Sequence, residues 1–460
     1  MKKTTKVLAG VLAVAMLIPM LGGCSQKANT DGVTKVTWWR SNGHDKAFMQ
    51  GKFKEFNETV GKEMGIELEY VTKEGNMEEM VDLAYTSDQA PDLYNSYQIE
   101  MRAQKDQIIA LEDIPGTEAL LEKFGGRAME TRHKYKGKTY ILPLTSGTYG
   151  LIYNKEMFVD AGIVDENGEA KPPVTWADVV DYAKRLTDVS KQHYGMIFPG
   201  KWWGFHMTDI NMASSAINGM TDAYNPVDGR YYYDAQAKVM KAMVQMVRDG
   251  SVVPGIESLD NDPARARFGQ GGIGMKIAGS YDVGVLNDQF PAEIEWGVAP
   301  LPLWDENEKG MQYCSADGLF VVNKESYERI GAEKLVAIME FFSSDEMLID
   351  RYTAGLSIPC DFNLVKDVEV SDDLKNWEIF ASFTQFSQCP PVQIKSDMTG
   401  KDSIGDIVLK ILNETPDDAE IDRLFKEYED AQNEGIAKYK ELNPDYDASP
   451  FIYPDWKLMR

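Results

Sequence analysis

Apolar positions recur along the chain with two spacings, every second residue and every third or fourth, and stretches of the two kinds alternate. Residues 33–39 (VTKVTWW) have the β-branched and aromatic content of a strand, ending in Arg40-Ser41-Asn42-Gly43. Phe48, Phe53 and Phe56 then predict a helix over 46–60. Residues 66–72 read as a second strand and 77–86 as a second helix, and Ala90-Pro91-Asp92 leads into a short strand at 93–95. Strands alternating with helices predict parallel pairing through right-handed crossovers, hence an α/β sheet. Ligands sit beyond the carboxyl ends of strands in such sheets, which places Trp39, Arg40 and Ser41 beside Ser96, Tyr97 and Gln98 at one crevice.

Residues 137–162 (GKTYILPLTSGTYGLIYNKEMFVDAG) read as strand, break, strand and helix start. Pro143 interrupts the first strand, Thr145-Ser146-Gly147-Thr148 forms a polar link, and Asn154 can cap the turn from Lys155. On this stretch alone, a passage between two domains and a loop within one sheet stand equal. Thr175 and Asp178 make a capping box for a helix carrying Trp176, Val179, Val180, Ala183 and Leu186, so Trp176 is assigned to packing. A strand at 194–199 runs into Gly200-Lys201-Trp202-Trp203-Gly204, where two indoles stand in a glycine-flanked loop without periodic reason for burial. Helices are expected at 235–248 and 262–268, and an amphipathic helical tail with an acidic face at 404–439. Gly269, Gly271 and Gly274 match GxGxxG by letter. The dinucleotide fingerprint needs a strand before the glycines and a helix after them; here that order is reversed, and the match is rejected.

At 460 residues the chain exceeds a single core, and its 43% hydrophobic share supports a globular fold of two domains. The net charge of −25 argues against a nucleic-acid partner, which requires a basic face. Lys2, Lys3 and Lys6 precede an apolar run at 7–20, too short to span a bilayer comfortably and of signal-peptide length. Leu21-Gly22-Gly23-Cys24 resembles the lipobox of bacterial lipoproteins, which implies a signal peptide at 1–23, a lipid on Cys24 and a tether over 24–32. The remaining cysteines, Cys314, Cys360 and Cys389, form no CxxC pair and imply neither a disulfide framework nor a zinc site; a Cys360–Cys389 bridge is left open.

GKTYILP followed by LIYNKEMF resembles the first crossover of the bacterial extracellular solute-binding proteins of family 1, the sugar receptors of ABC importers. Further landmarks follow in that family's order: Gly274-Met275 and Gly279-Ser280-Tyr281, WGVAPLPL at 296–303, SADGLFVV at 315–322, a helix at 332–342, and Gly355-Leu356-Ser357-Ile358-Pro359. The resemblance implies an α/β, two-lobed fold like that of periplasmic binding proteins, with crossing hinge segments and a ligand cleft between the lobes. Carried onto this chain, lobe one holds 33–145 and 302–348, lobe two holds 149–298 and 352–460, and the hinges fall at 145–148, 299–302 and 350–352. Gly147 stands where the family's maltose receptor has an acidic ligand contact, so that receptor's sugar chemistry does not transfer.

A sugar ring offers an apolar C–H face and a rim of hydroxyls, which aromatic rings and planar polar groups respectively match. Trp39, Trp202, Trp203 and Tyr281 supply candidate faces, and Arg40, Gln98 and Asp317 supply candidate rim contacts. The expected function is that of a lipid-anchored receptor on the extracellular face of the membrane. It captures an oligosaccharide by lobe closure and delivers it to ABC permease subunits, as a monomer, without cofactor, metal or catalysis. Rival readings are an amino-acid or peptide receptor, a ferric-ion receptor suggested by Tyr231-Tyr232-Tyr233, and a secreted polysaccharide-active enzyme. No GxSxG or HExxH motif and no distinct carboxylate pair supports the last.

Overall fold

The computed structural model describes residues 32–41, 43 and 45–460; the expected signal peptide, Cys24 and the tether up to residue 31 lie outside them. Two sheets carry the two lobes. In the first, strand Thr34–Ser41 pairs in parallel with both Ile66–Lys73 and Leu93–Tyr94, and Val321–Val322 adds antiparallel at the edge. Strand alternation sends Trp38 into the core, where it is fully buried and meets Phe320 at 4.7 Å, Phe342 at 5.0 Å and Phe53 at 5.3 Å between ring centroids. Its neighbour Trp39 must therefore point to the opposite face.

The second sheet is mixed, contrary to the parallel pairing expected from the alternation of elements. Strand Tyr149–Asn154 runs antiparallel to both Ile273–Gly279 and Trp296–Ala299, and only Tyr194–Met196 pairs in parallel, with Ile273–Gly279. Helix Trp176–Leu186 carries the expected capping box, and Trp176 is buried as assigned. That helix lies so close to the sheet that a Cβ on Gly195 would sit 2.1 Å from the Ala183 carbonyl oxygen, so only glycine fits there.

Between the lobes lies a third, small sheet. Pro143–Ser146 is flanked antiparallel by Asp317–Gly318 and by Ile358–Pro359, so three crossing segments are hydrogen-bonded to one another. Gly147 N–H donates to Ser315 Oγ at 2.8 Å and the Thr148 hydroxyl to the Phe380 carbonyl at 2.7 Å, fixing the link at its far end. The chain does not cross at 299–302. Leu301 and Leu303 are buried in the second lobe's core, Leu303 bridges Thr175, and Gln312–Tyr313 pairs with Ser387–Gln388 before the passage at Asp317–Gly318. Residues 350–352 likewise lie inside helix Asp345–Thr353, and the third passage follows that helix at Ile358–Pro359.

Several elements are bounded differently from what periodicity predicts. The first helix is Lys46–Glu58, because Thr59 leaves helical geometry before Val60–Met64 resumes. The strand at 194–199 stops at Met196. The tail divides into Ile404–Glu414 and Asp418–Leu442: Thr415 turns left-handed (φ 43°), Pro416 cannot continue the preceding helix, and Asp417 caps the next one.

Candidate functional site

The sheets' carboxyl ends and the crossing strands enclose a cleft of about 900 Å³ between the lobes. Arg40, Ser41 and Asp45 line it from the end of the first strand, Asn76 and Glu78 from the following helix start, and Tyr97 from the loop after Leu93–Tyr94. Trp203, Ser280 and Tyr281 line it from the second lobe, with Asp317, Arg351 and Ser357 contributed by or near the crossing segments. A side pocket of about 290 Å³ continues past Asp317 and is lined by Arg132, His133, Tyr149 and Tyr313.

On the first-lobe wall the polar groups are held by one another. Asp45 Oδ2 accepts from Arg40 Nη2 at 2.8 Å and from Arg351 Nη2 at 3.1 Å. Arg351 also donates through Nε to Ser357 Oγ at 2.7 Å, and burial together with the neighbouring Arg40 charge lowers its guanidinium to about 10. Glu78 accepts from the fully buried Arg102 at 2.7 Å, from Ser96 Oγ at 2.8 Å and from Tyr97 N–H at 2.7 Å. This pins the loop from which Tyr97 projects, 82% exposed, into the cleft.

Aromatic rings dominate the second-lobe wall. Trp203 is 85% exposed, while Trp202 folds back so tightly that a Cβ on Gly204 would lie 2.5 Å from its ring. Tyr281 packs edge-on to Tyr149 at 6.2 Å and beneath the Arg265 guanidinium at 5.7 Å, which is itself fixed by Asp282 at 2.6 Å. Between the walls Asp317 accepts from Ser315 Oγ at 2.8 Å; it remains reachable by solvent but is ringed by protein, and this loss of water raises its carboxyl. His133 accepts the Met129 N–H on Nδ1 at 3.1 Å and meets the Ala316 carbonyl through Nε2 at 3.0 Å, so the neutral ring pins the crossing strand. Burial lowers its imidazole to about 4.

Six of the ten candidate residues thus line the main cleft: Arg40, Ser41, Tyr97, Trp203, Tyr281 and Asp317. Ser96 lines the side pocket, its hydroxyl committed to Glu78. Trp39, Gln98 and Trp202 are outside both linings. Trp39 lies on the opposite face from Trp38, half-buried under Lys73 Nζ at 3.7 Å, and Gln98 sits at the start of helix Ile99–Gln104. Sequence reasoning missed Asp45, Glu78, Arg132 and Arg351. No local motif marks them, and Arg351 reaches Asp45 across more than three hundred residues of chain.

Residues 40–347, more than half of the chain, match the family model of the bacterial extracellular solute-binding proteins. The chain belongs to this family. A maltotriose-binding protein of Pyrococcus abyssi is 24% identical to this solute-binding protein over 378 residues, 76% of this chain and 75% of that one. A binding protein of Brucella abortus is 24% identical over 282 residues, 57% of this chain; the match spans 66% of that relative's length. Among solved structures, the GacH receptor of Streptomyces glaucescens shares the fold with a TM-score of 0.66 at 18% identity, covering 90% of this chain and 100% of its own.

The rival readings meet the same geometry. Tyr231 and Tyr233 of the tyrosine triplet are buried, with the Tyr231 hydroxyl on the Ile394 carbonyl at 2.6 Å, while Tyr232 bonds Asp228 at 2.8 Å. They are packing and turn residues and do not converge on an ion. Among the described residues no group of three or more His, Cys, Asp or Glu is placed to hold a metal. Cys314, Cys360 and Cys389 are free thiols, so no Cys360–Cys389 bridge is present. No helix among the described residues is long and apolar enough to cross a membrane.

Proposed function

We propose that this solute-binding protein is the extracellular, lipid-anchored receptor of an ABC importer, which captures an oligosaccharide between its lobes and passes it to the permease. The observation that carries this is the pairing of exposed aromatic rings, Trp203 and Tyr97, with planar polar groups around one interlobe cleft. The rings cover the C–H faces of a sugar and the polar groups bond its hydroxyls. The maltotriose-binding relative and the GacH receptor, solved both unliganded and with acarbose, support the same class of ligand. Lobe one comprises the sheet of Thr34–Ser41 and lobe two that of Tyr149–Asn154, closing about the three crossing strands. Lipid on Cys24 holds the receptor at the outer membrane face, and it works as a monomer.

A glycosidase requires one carboxylic acid and one free carboxylate across the scissile bond. Here Asp45 is shared by two arginines and Glu78 is held by Arg102, leaving Asp317, among the described residues, as the lining carboxylate without an ion pair. This lining supports receptor function without turnover. Calorimetry against a carbohydrate panel tests it, with chromatography of the recovered ligand. Binding with intact sugar recovered is expected, and recovery of cleaved products overturns it. Triton X-114 partitioning tests the anchor: the wild type enters the detergent phase and Cys24→Ala does not.

A further inference from the structure

The first-lobe wall holds two guanidiniums against one carboxylate. Arg351 is engaged by the protein at all three of its nitrogens, with Nε on Ser357, Nη1 on Met49 Sδ at 3.5 Å and Nη2 on Asp45. Arg40 is not. Among the described residues only its Nη2 is engaged by a carboxylate and its Nε is buried without an acceptor, and its side chain lines the cleft. Within ion-pairing distance the two guanidiniums share Asp45 alone among the described residues, one positive charge more than that pairing answers, while Asp317 faces them with its carboxyl hydrogen-bonded to Ser315, and Glu78 and Asp82 share Arg102. In the side pocket Arg132 has a buried Nε without an acceptor; it faces Asp317, and behind it Asp222 takes hydrogen bonds from Asn211 and Gln393. A buried donor left unmade is costly, and a charged one more so.

We infer that the ligand is an acidic oligosaccharide, and that Arg40 receives the carboxylate of one of its uronic-acid rings. This rests on the carbohydrate reading above and narrows it. A guanidinium edge presents parallel N–H groups that match the two oxygens of a carboxylate, whereas a neutral hydroxyl rim would leave the charge of the pair unanswered. Trp203 and Tyr97 cover the faces of the rings that the carboxylate anchors. The acidic exterior of the protein, net −25, opposes such a ligand only at a distance. At physiological salt that field decays over about 8 Å, while the arginines act at contact.

The decisive comparison erases the ligand's charge and keeps its skeleton. Trigalacturonate, its methyl ester, a sulfated trisaccharide and neutral maltotriose are titrated by calorimetry into wild type, Arg40→Gln and Arg132→Gln, each checked for an unchanged thermal transition. Wild type is expected to bind the free acid at least tenfold more tightly than the ester, with affinity falling as salt rises. Arg40→Gln should bring the acid to the level of the ester, and Arg40→Lys should restore part of the preference if Arg40→Gln proves unstable. Arg132→Gln should weaken acid and ester alike. An ester or maltotriose bound as tightly as the acid overturns the proposal and leaves the sugar receptor standing. Preference for the sulfated sugar overturns the carboxylate assignment, and loss of acid preference in Arg132→Gln overturns the assignment to Arg40. Failure of every saccharide to bind at millimolar concentration removes both readings.

Discussion

On the first-lobe wall the lining carboxylates already have their partners in place: Asp45 between Arg40 and Arg351, and Glu78 between Arg102, Ser96 and Tyr97. On the second-lobe wall Trp203 stands 85% exposed at the tip of a loop, with only Trp202, at 5.9 Å between centroids, in ring contact. One wall is a preorganised hydrogen-bonding template whose geometry a ligand must fit. The other is apolar surface that gains from being covered. Binding to the first wall should be set by chemistry and direction, and binding to the second by area. On the proposed closure a specific surface and a permissive surface meet on one ligand, so each can be altered without the other.

Substitutions can break that contrast, and the largest effect is expected at Asp45. Asp45→Ala leaves two arginines, 16% and 14% exposed, without their shared counter-ion. Unfolding in urea should show a loss of roughly 3–5 kcal/mol, the scale for removing one partner of a buried pair; a loss under about 1 kcal/mol would mean the template is not structural. Next comes Trp203→Ala. Because the ring is exposed in the absence of ligand, the unliganded protein should unfold within about 0.5 kcal/mol of wild type. Its ligand affinity should drop by roughly 1–3 kcal/mol, measured by calorimetry. A variant that loses stability and keeps affinity would place that indole in the core.

Trp39→Ala should behave in the opposite way. The contact of Lys73 with its ring, at 3.7 Å, and its half-burial predict about 1 kcal/mol of lost stability. Ligand affinity should stay within about twofold, less than 0.5 kcal/mol; a larger drop puts Trp39 at the ligand after all.

The smallest signal lies in the pH slope. Asp209 is fully buried in the second lobe with neither carboxylate oxygen hydrogen-bonded, and burial pushes its carboxyl up to about 7. In the unfolded chain an aspartate titrates near ~3.9. Between those values the folded protein binds the proton and the unfolded chain does not, so this group adds stability as pH falls from about 7 toward 4. His133 works against it. Held at about 4 in the folded protein, below its unfolded ~6.5, it takes stability away as pH falls over that window. The difference between wild type and Asp209→Asn in melting temperature from pH 4 to 8 isolates the aspartate, and it should shift in favour of wild type toward the acid end. A pH-independent difference would show that Asp209 is ionised throughout.

Sequence alone determined the elements whose cause is local. The alternation of Trp38 and its neighbours marked a strand, the capping box at Thr175 and Asp178 started a helix, and the order of landmarks pointed to two lobes with a cleft. It also marked Trp202 and Trp203 alike, as indoles between glycines with no periodic reason for burial, and of the two Trp203 lines the cleft. Tertiary structure decided the rest. Which of two adjacent tryptophans faces the core is not legible until the helices that cover the sheet are placed. Trp38 therefore packs, and Trp39 lies under Lys73 rather than in the cleft. Leu301 and Leu303 keep the segment after Trp296–Ala299 on the second lobe, because burial in its core holds them there past the Pro pair. Arg351 became a cleft residue only because helix Asp345–Thr353 delivers it to Asp45. Periodicity reports what a segment buries; the distances that turn scattered charges into one site arise when the chain closes on itself.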